Sequence, residues 1–107
     1  MFFMIYLIMG VSASGKTTVG VSLSKILSVP FYDADDYHNH KSIEKMRKGL
    51  SLSDLDRKPW LNLLALKIKE WNSDGGAILA CSALKHDYRR ILSQNNEVTF
   101  IFLDGEY

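Results

Sequence analysis

The sequence predicts an α/β domain: a parallel β-sheet with helices on both faces. Two observations predict it. Residues 3–9, 77–81 and 98–103 are apolar runs without the alternation of a half-exposed strand, and each is too short to cross a bilayer. The segments between them carry apolar residues at every third or fourth position, the helical period. Strands apolar on both sides, alternating with helices, are the pattern of a sheet covered above and below.

In chain order, residues 3–9 form the first strand, rich in aromatics and isoleucine and closed by Gly10. Residues 15–28 read as a helix with Val19, Leu23, Ile26 and Leu27 on one face, ended by Pro30. Phe31-Tyr32 begins a short second strand that closes on Asp33, and residues 43–47 form a short helix stopped by Gly49. Ser53-x-x-Asp56 resembles a capping box, which opens a long helix reaching Trp71 with an apolar stripe of Leu61, Leu64, Ile68 and Trp71. Pro59 lies inside that stretch, so the helix either starts late or kinks there. Asp74-Gly75-Gly76 is a turn, residues 77–81 the third strand, 84–92 a helix and 98–103 the fourth strand.

A chain of 107 residues is one small domain, and 47% hydrophobic with 23% charged residues is ordinary soluble composition. A net charge of +1, with acids and bases interleaved, argues against a nucleic-acid or membrane partner. The single cysteine, Cys81, has no partner to bridge and no neighbours at metal-ligand spacing, and its flanks suggest a buried strand end. No basic residue precedes the first apolar run, so that run is a strand rather than a secretory signal. The expectation is a soluble, cytoplasmic protein.

The chemistry is written first in Gly10-Val-Ser12-Ala13-Ser14-Gly15-Lys16-Thr17, followed by Thr18. This is the G-x-x-x-x-G-K-[ST] phosphate loop, and its position after a buried strand and before a helix is the context that the motif requires. Glycines let successive backbone N–H groups curl toward an anion, and the helix adds its positive N-terminal end. Lys16 reaches the β- and γ-phosphates of a nucleoside triphosphate, and Thr17 offers its hydroxyl to Mg²⁺. The bland alternative is a glycine-rich turn.

Asp33-Ala34-Asp35-Asp36 closes the second strand. Ligands of open parallel sheets gather at strand carboxyl ends, so these acids should face the phosphate loop. One carboxylate could support a Mg²⁺-bound water and another accept the proton of an attacking hydroxyl; alternatively Asp35 or Asp36 caps the next turn. His38 and His40 fall in the loop beyond, His40 as a solvated residue. Arg57 and Lys58 read as helix-surface charges, Lys85 lies near a strand's carboxyl end, one of Arg89 and Arg90 faces water, and Trp60 and Trp71 belong to the core.

Together the phosphate loop, Tyr32-Asp-Ala-Asp-Asp-Tyr-His38 with Ile43-Glu-Lys-Met46, Asp54-Leu-Asp-Arg-Lys-Pro-Trp-Leu61, and Ala80-Cys-Ser-Ala-Leu-Lys85 with Tyr88-Arg89 resemble the gluconokinase family. These are small sugar-acid kinases with a P-loop NTPase fold like that of the nucleoside monophosphate kinases. The resemblance covers nearly the whole chain and implies transfer of the ATP γ-phosphate to the 6-hydroxyl of D-gluconate. It further implies that Lys16 and Thr17 keep their phosphate and metal roles, Asp33 supports the metal's water shell, and Asp35 orients and deprotonates the hydroxyl. His38, Arg57, Lys85 and Arg89 would then line the acceptor pocket, the cations serving the gluconate carboxylate.

The chain departs from the family at Asn39-His40-Lys41-Ser42, where a proline then an asparagine are usual, and at Leu50-Ser51-Leu52, which lacks a proline. It also stops where family members continue into a helix, a basic lid and a final strand, so residues 1–107 read as one P-loop domain incomplete at its C-terminus. That reading implies weak or no turnover by these residues alone. Family members are often dimers.

Overall fold

The computed structural model describes residues 5–10, 15–81, 85–93 and 97–103. Phe3, the loop residues Ser12, Ala13 and Ser14, and Leu84, the expected start of the fourth helix, lie outside them. Among the described residues, the strands β1 (Ile5–Met9), β2 (Phe31–Asp33), β3 (Ala77–Cys81) and β4 (Val98–Phe102) form one sheet in the order β2-β3-β1-β4. All pairings are parallel, with Ile5 opposite both Ala77 and Val98.

This order follows from the chain's path. After β1 the chain crosses to the far side of β3's position to make β2, returns to lay down β3, and leaves in the other direction for β4. The connections after β1 and β3 therefore diverge, opening a crevice at their carboxyl ends, where Met9 pairs with Cys81. Asp33 ends β2 opposite Ala80, so three strand ends open on the same rim.

One face of the sheet packs against α3 (Asp54–Ser73) and α4 (His86–Ser93). Ile5, Leu7, Ala77 and Leu79 meet Leu61, Leu64, Ile68 and Trp71 there, all buried, so the stripe expected on α3 is the one that it buries. Pro59 neither delays nor ends this helix. A capping box closes its start, with Ser53 Oγ accepting from the Asp56 N–H and Asp56 Oδ2 accepting from the Ser53 N–H at 3.0 Å. Pro59 withholds an N–H from the Leu55 carbonyl, and Leu55 is 80% exposed, where water can replace it.

The opposite face carries α1 (Lys16–Leu27). Its expected apolar stripe is only partly used: Val19 and Leu23 are half-buried, while Ile26 and Leu27 are 75% and 42% exposed. The buried residue is Gly20, against Phe31; a Cβ there would stand 2.1 Å from Phe31 Cε1. Close approach of backbone to ring, rather than leucine packing, seats this helix. Ser28, in the left-handed region at φ 55°, ends it two residues before Pro30.

Three further details differ from expectation. A 3₁₀ turn, Ala34–Tyr37, follows β2 directly. The next helix, α2 (His40–Arg47), begins three residues earlier than expected because Asn39 Oδ1 accepts from the Ser42 N–H at 2.8 Å. The departure from the family pattern at Asn39 is thus a helix cap, and His40 is an exposed helical residue rather than part of a loop. Finally, β4 is only half-buried, with Phe102 66% exposed, because α1 lies over β1, β2 and β3.

Candidate active site

The rim of strand ends holds an open cleft of about 210 Å³ lined by Gly15, Lys16, Thr17, Thr18, Asp33, Asp35 and Ala80. Gly15 sits at φ 85°, a left-handed conformation that costs glycine little, and it turns the chain into α1 with no side chain in the way. Lys16 Nζ donates to the Gly10 carbonyl at 2.7 Å, so the ammonium lies folded across the mouth of the loop. Of the acids at the end of β2, Asp33 and Asp35 line this cleft with Lys16 and Thr17, as a position at a strand end requires, while Asp36 is exposed and is not among its lining residues.

Asp33 is the capping residue of the 3₁₀ turn, its Oδ1 accepting from the Asp35 N–H at 3.0 Å. The alternative in which Asp35 or Asp36 serves only as a cap does not hold: Asp33 takes that place, and the turn leaves Asp35 lining the cleft. Partial burial raises the Asp35 carboxyl above its ordinary value, the negative charge of Asp33 adds to the rise, and His38 and Lys16 oppose it.

His38 stands 3.8 Å from Asp35 through Nε2, with its side chain only 5% exposed. It is stacked on Trp60 at 4.4 Å between ring centroids, and the Trp60 indole N–H donates to the Ala34 carbonyl at 2.7 Å. One tryptophan from α3 therefore fixes both the turn that carries Asp35 and the histidine beside it. Burial lowers the His38 pKa; the negative charge of Asp35 opposes the shift and the positive charge of Arg57 adds to it. Its Nδ1 is buried and has no hydrogen-bond partner among the described residues.

Arg57 is half-buried and lies over the Tyr88 ring, 5.9 Å from its centroid. Lys85 Nζ stands 5.6 Å from the same centroid and 3.0 Å from Asp54 Oδ1, which also accepts the Tyr88 hydroxyl proton. Arg89 is half-buried, and its Nε has no hydrogen-bond partner among the described residues, while Arg90 and Lys58 are exposed. Cys81 is buried and its thiol pushed up to about 12 by burial, which makes it an inert core residue.

The structure thus brings Lys16, Thr17, Thr18, Asp33 and Asp35 around one cleft. His38 stands beside Asp35, Arg57 is near enough to His38 for its charge to act on that ring, and Lys85 is reached beyond Tyr88. Sequence reasoning missed the roles of Tyr88 and Asp54. Both lie in quoted segments, and Asp54 shares a helical face with Arg57 three residues on, but nothing in the spacing pairs α3 with α4.

Donor chemistry in the cleft suits a hard cation: a threonine hydroxyl and two carboxylates, one of which uses only Oδ1 in its cap. No helix of the described residues is long and apolar enough to cross a membrane.

Known proteins share this fold. The chain is 43% identical over 110 aligned positions to a gluconokinase of Arabidopsis thaliana, covering 92% of this chain and 58% of that protein. Among solved structures, a sugar kinase from Janibacter superposes with a TM-score of 0.85 at 36% identity, covering 95% of this chain and 60% of that one. A gluconokinase from Sinorhizobium meliloti 1021 gives 0.82 at 35% identity, covering 98% and 59%. The chain spans about half the length of the curated relatives it matches. A shikimate kinase family model matches residues 12–107, nearly all of the sequence, and the chain belongs to that family.

Proposed function

We propose that the protein phosphorylates D-gluconate at its 6-hydroxyl with ATP. The observation that carries this reading is the position of Asp35, which lines the phosphate cleft beside Lys16 and also faces His38. In the transfer, the acceptor oxygen bonds to the γ-phosphorus as the bond to the β-γ bridging oxygen breaks, and the hydroxyl proton passes to Asp35. A carboxyl raised above its ordinary value is a better proton acceptor than an ordinary aspartate.

Within this reading Gly10, Ser12, Ala13, Ser14 and Gly15 supply the phosphate cradle with Thr18, and Lys16 draws charge off the transferring group. Thr17 and Asp33 would hold Mg²⁺, whose role is to neutralise phosphate charge. His38, Arg57, Lys85 and Arg89 form the acceptor side, and the cations meet the gluconate carboxylate. Support comes from the gluconokinase relatives, 41–52% identical over most of this chain. A homodimer and a cytoplasmic location complete the reading, and the unpaired Cys81 suits the latter.

The family model favours a second acceptor, shikimate, as the comparison to run. Calorimetric titration with gluconate and shikimate, each with a non-hydrolysable ATP analogue, tests the choice, followed by product identification with the protein and ATP. Gluconate binding that is lost in Arg57→Met upholds the proposal, and preference for shikimate overturns it.

A further inference from the structure

Asp54 is the first residue of α3, and its Oδ1 takes two hydrogen bonds from the neighbouring helix segment. One comes from Lys85 Nζ at 3.0 Å and the other from the Tyr88 hydroxyl. Lys85 immediately precedes α4, and its own carbonyl accepts from the N–H groups of Tyr88 and Arg89. Its side chain is 61% exposed, and a lysine so exposed ordinarily samples many rotamers. Here it is held over the Tyr88 ring, with Arg57 near the same ring. Two cations sharing one aromatic neighbour repel each other, and Asp54 is the carboxylate whose contacts keep Lys85 there.

We propose that Asp54 is a positioning residue: with Tyr88 it holds Lys85 beside Arg57, so that the pair meets the carboxylate of the sugar acid as a preformed site. This rests on the reading above that Arg57 and Lys85 belong to the acceptor side. The pair is exposed and adds little to stability. Its effect lies in binding, where a long side chain ordered beforehand need not be ordered by the ligand. Tyr88, with its ring buried, anchors the arrangement to the core.

The test is calorimetric titration of the chain with gluconate and, separately, an ATP analogue, in the Asp54→Asn, Lys85→Met and doubly substituted forms. Asp54→Asn should weaken gluconate binding by about threefold to tenfold, leave nucleotide binding unchanged, and add nothing once Lys85 is methionine. Asp54→Glu should recover part of the loss. An equal loss in both backgrounds would mean that Asp54 acts on the fold, and tighter gluconate binding in Asp54→Asn would make it a competitor of the substrate; either overturns the proposal. If no form binds gluconate while all bind the nucleotide, the proposed function falls instead. The positioning role is then decided by the ¹³C signal of Lys85 Cε: a shift and narrowing in Asp54→Asn upholds it, and an unchanged signal overturns it.

Discussion

The two ends of the candidate site are built in different ways. The phosphate end is local: Gly15 through Thr18 are consecutive, and Asp33 and Asp35 come from one strand end a single crossover later. The acceptor end is assembled from distant pieces. His38 follows the 3₁₀ turn, Arg57 and Asp54 ride on α3, and Lys85 and Tyr88 flank the start of α4. Backbone geometry at a strand–helix junction fixes the first, and aromatic stacking with ion pairs between elements fixes the second. The two ends should therefore fail separately.

Trp60→Ala should have the largest effect. It removes a buried indole that stacks on His38 and bonds the Ala34 carbonyl, and deletion of such a group costs about 3–5 kcal/mol. Chemical denaturation checks the loss. Trp60→Phe, expected to stay folded, should weaken gluconate binding and leave nucleotide binding near normal; equal loss of both would erase the distinction drawn here.

Lys16→Met should break only the phosphate end. Binding of the ATP analogue should weaken by roughly tenfold to a hundredfold, the loss of a hydrogen-bonding charge, with the melting temperature and gluconate binding little changed. Calorimetric titration of the two forms checks this.

A smaller effect is expected of Gly20→Ala. Alanine favours helix by about 1 kcal/mol, but its Cβ would collide with Phe31, so a net loss of about 1 kcal/mol is expected. Because Phe31 begins the strand that Asp33 ends, the displacement should widen the cleft and weaken nucleotide binding more than gluconate binding. Phe31→Leu in the same chain should restore part of both.

The smallest effect is electrostatic. The Ser53 N–H and the Lys45 ammonium hold the Asp56 carboxyl at about 2, below its ordinary 3.8. A depressed folded-state pKa stabilises the fold above about pH 4, and that contribution fades as pH falls toward 2. Asp56→Asn should therefore be less stable than the parent at neutral pH and lose less of its remaining stability between pH 4 and 2. Parallel acid-unfolding curves for the two chains would contradict this.

Much of the fold was legible because its signals are local. Apolar runs gave β1, β3 and β4, Ser53 and Asp56 gave the start of α3, and the α3 stripe matched its buried face. Where a tertiary contact overrides periodicity, the signal misled. Ile26 and Leu27 fit a helical stripe, yet α1 meets the sheet through Gly20, whose missing side chain leaves no mark in a hydrophobic pattern. Asn39 looked like loop chemistry and proved to be a cap, which is short-range information of a kind that a family pattern hides.

By itself, the sequence determined the phosphate loop, the acids that close β2 and the parallel α/β class, because each depends on residues a few positions apart. Tertiary structure alone decided that Asp33 and Asp35 line one cleft with Lys16, that Trp60 stands behind His38, and that Asp54 and Tyr88 hold Lys85. Those contacts join residues up to 34 positions apart, and which of them meet is set by how α3 and α4 pack on the same face of the sheet.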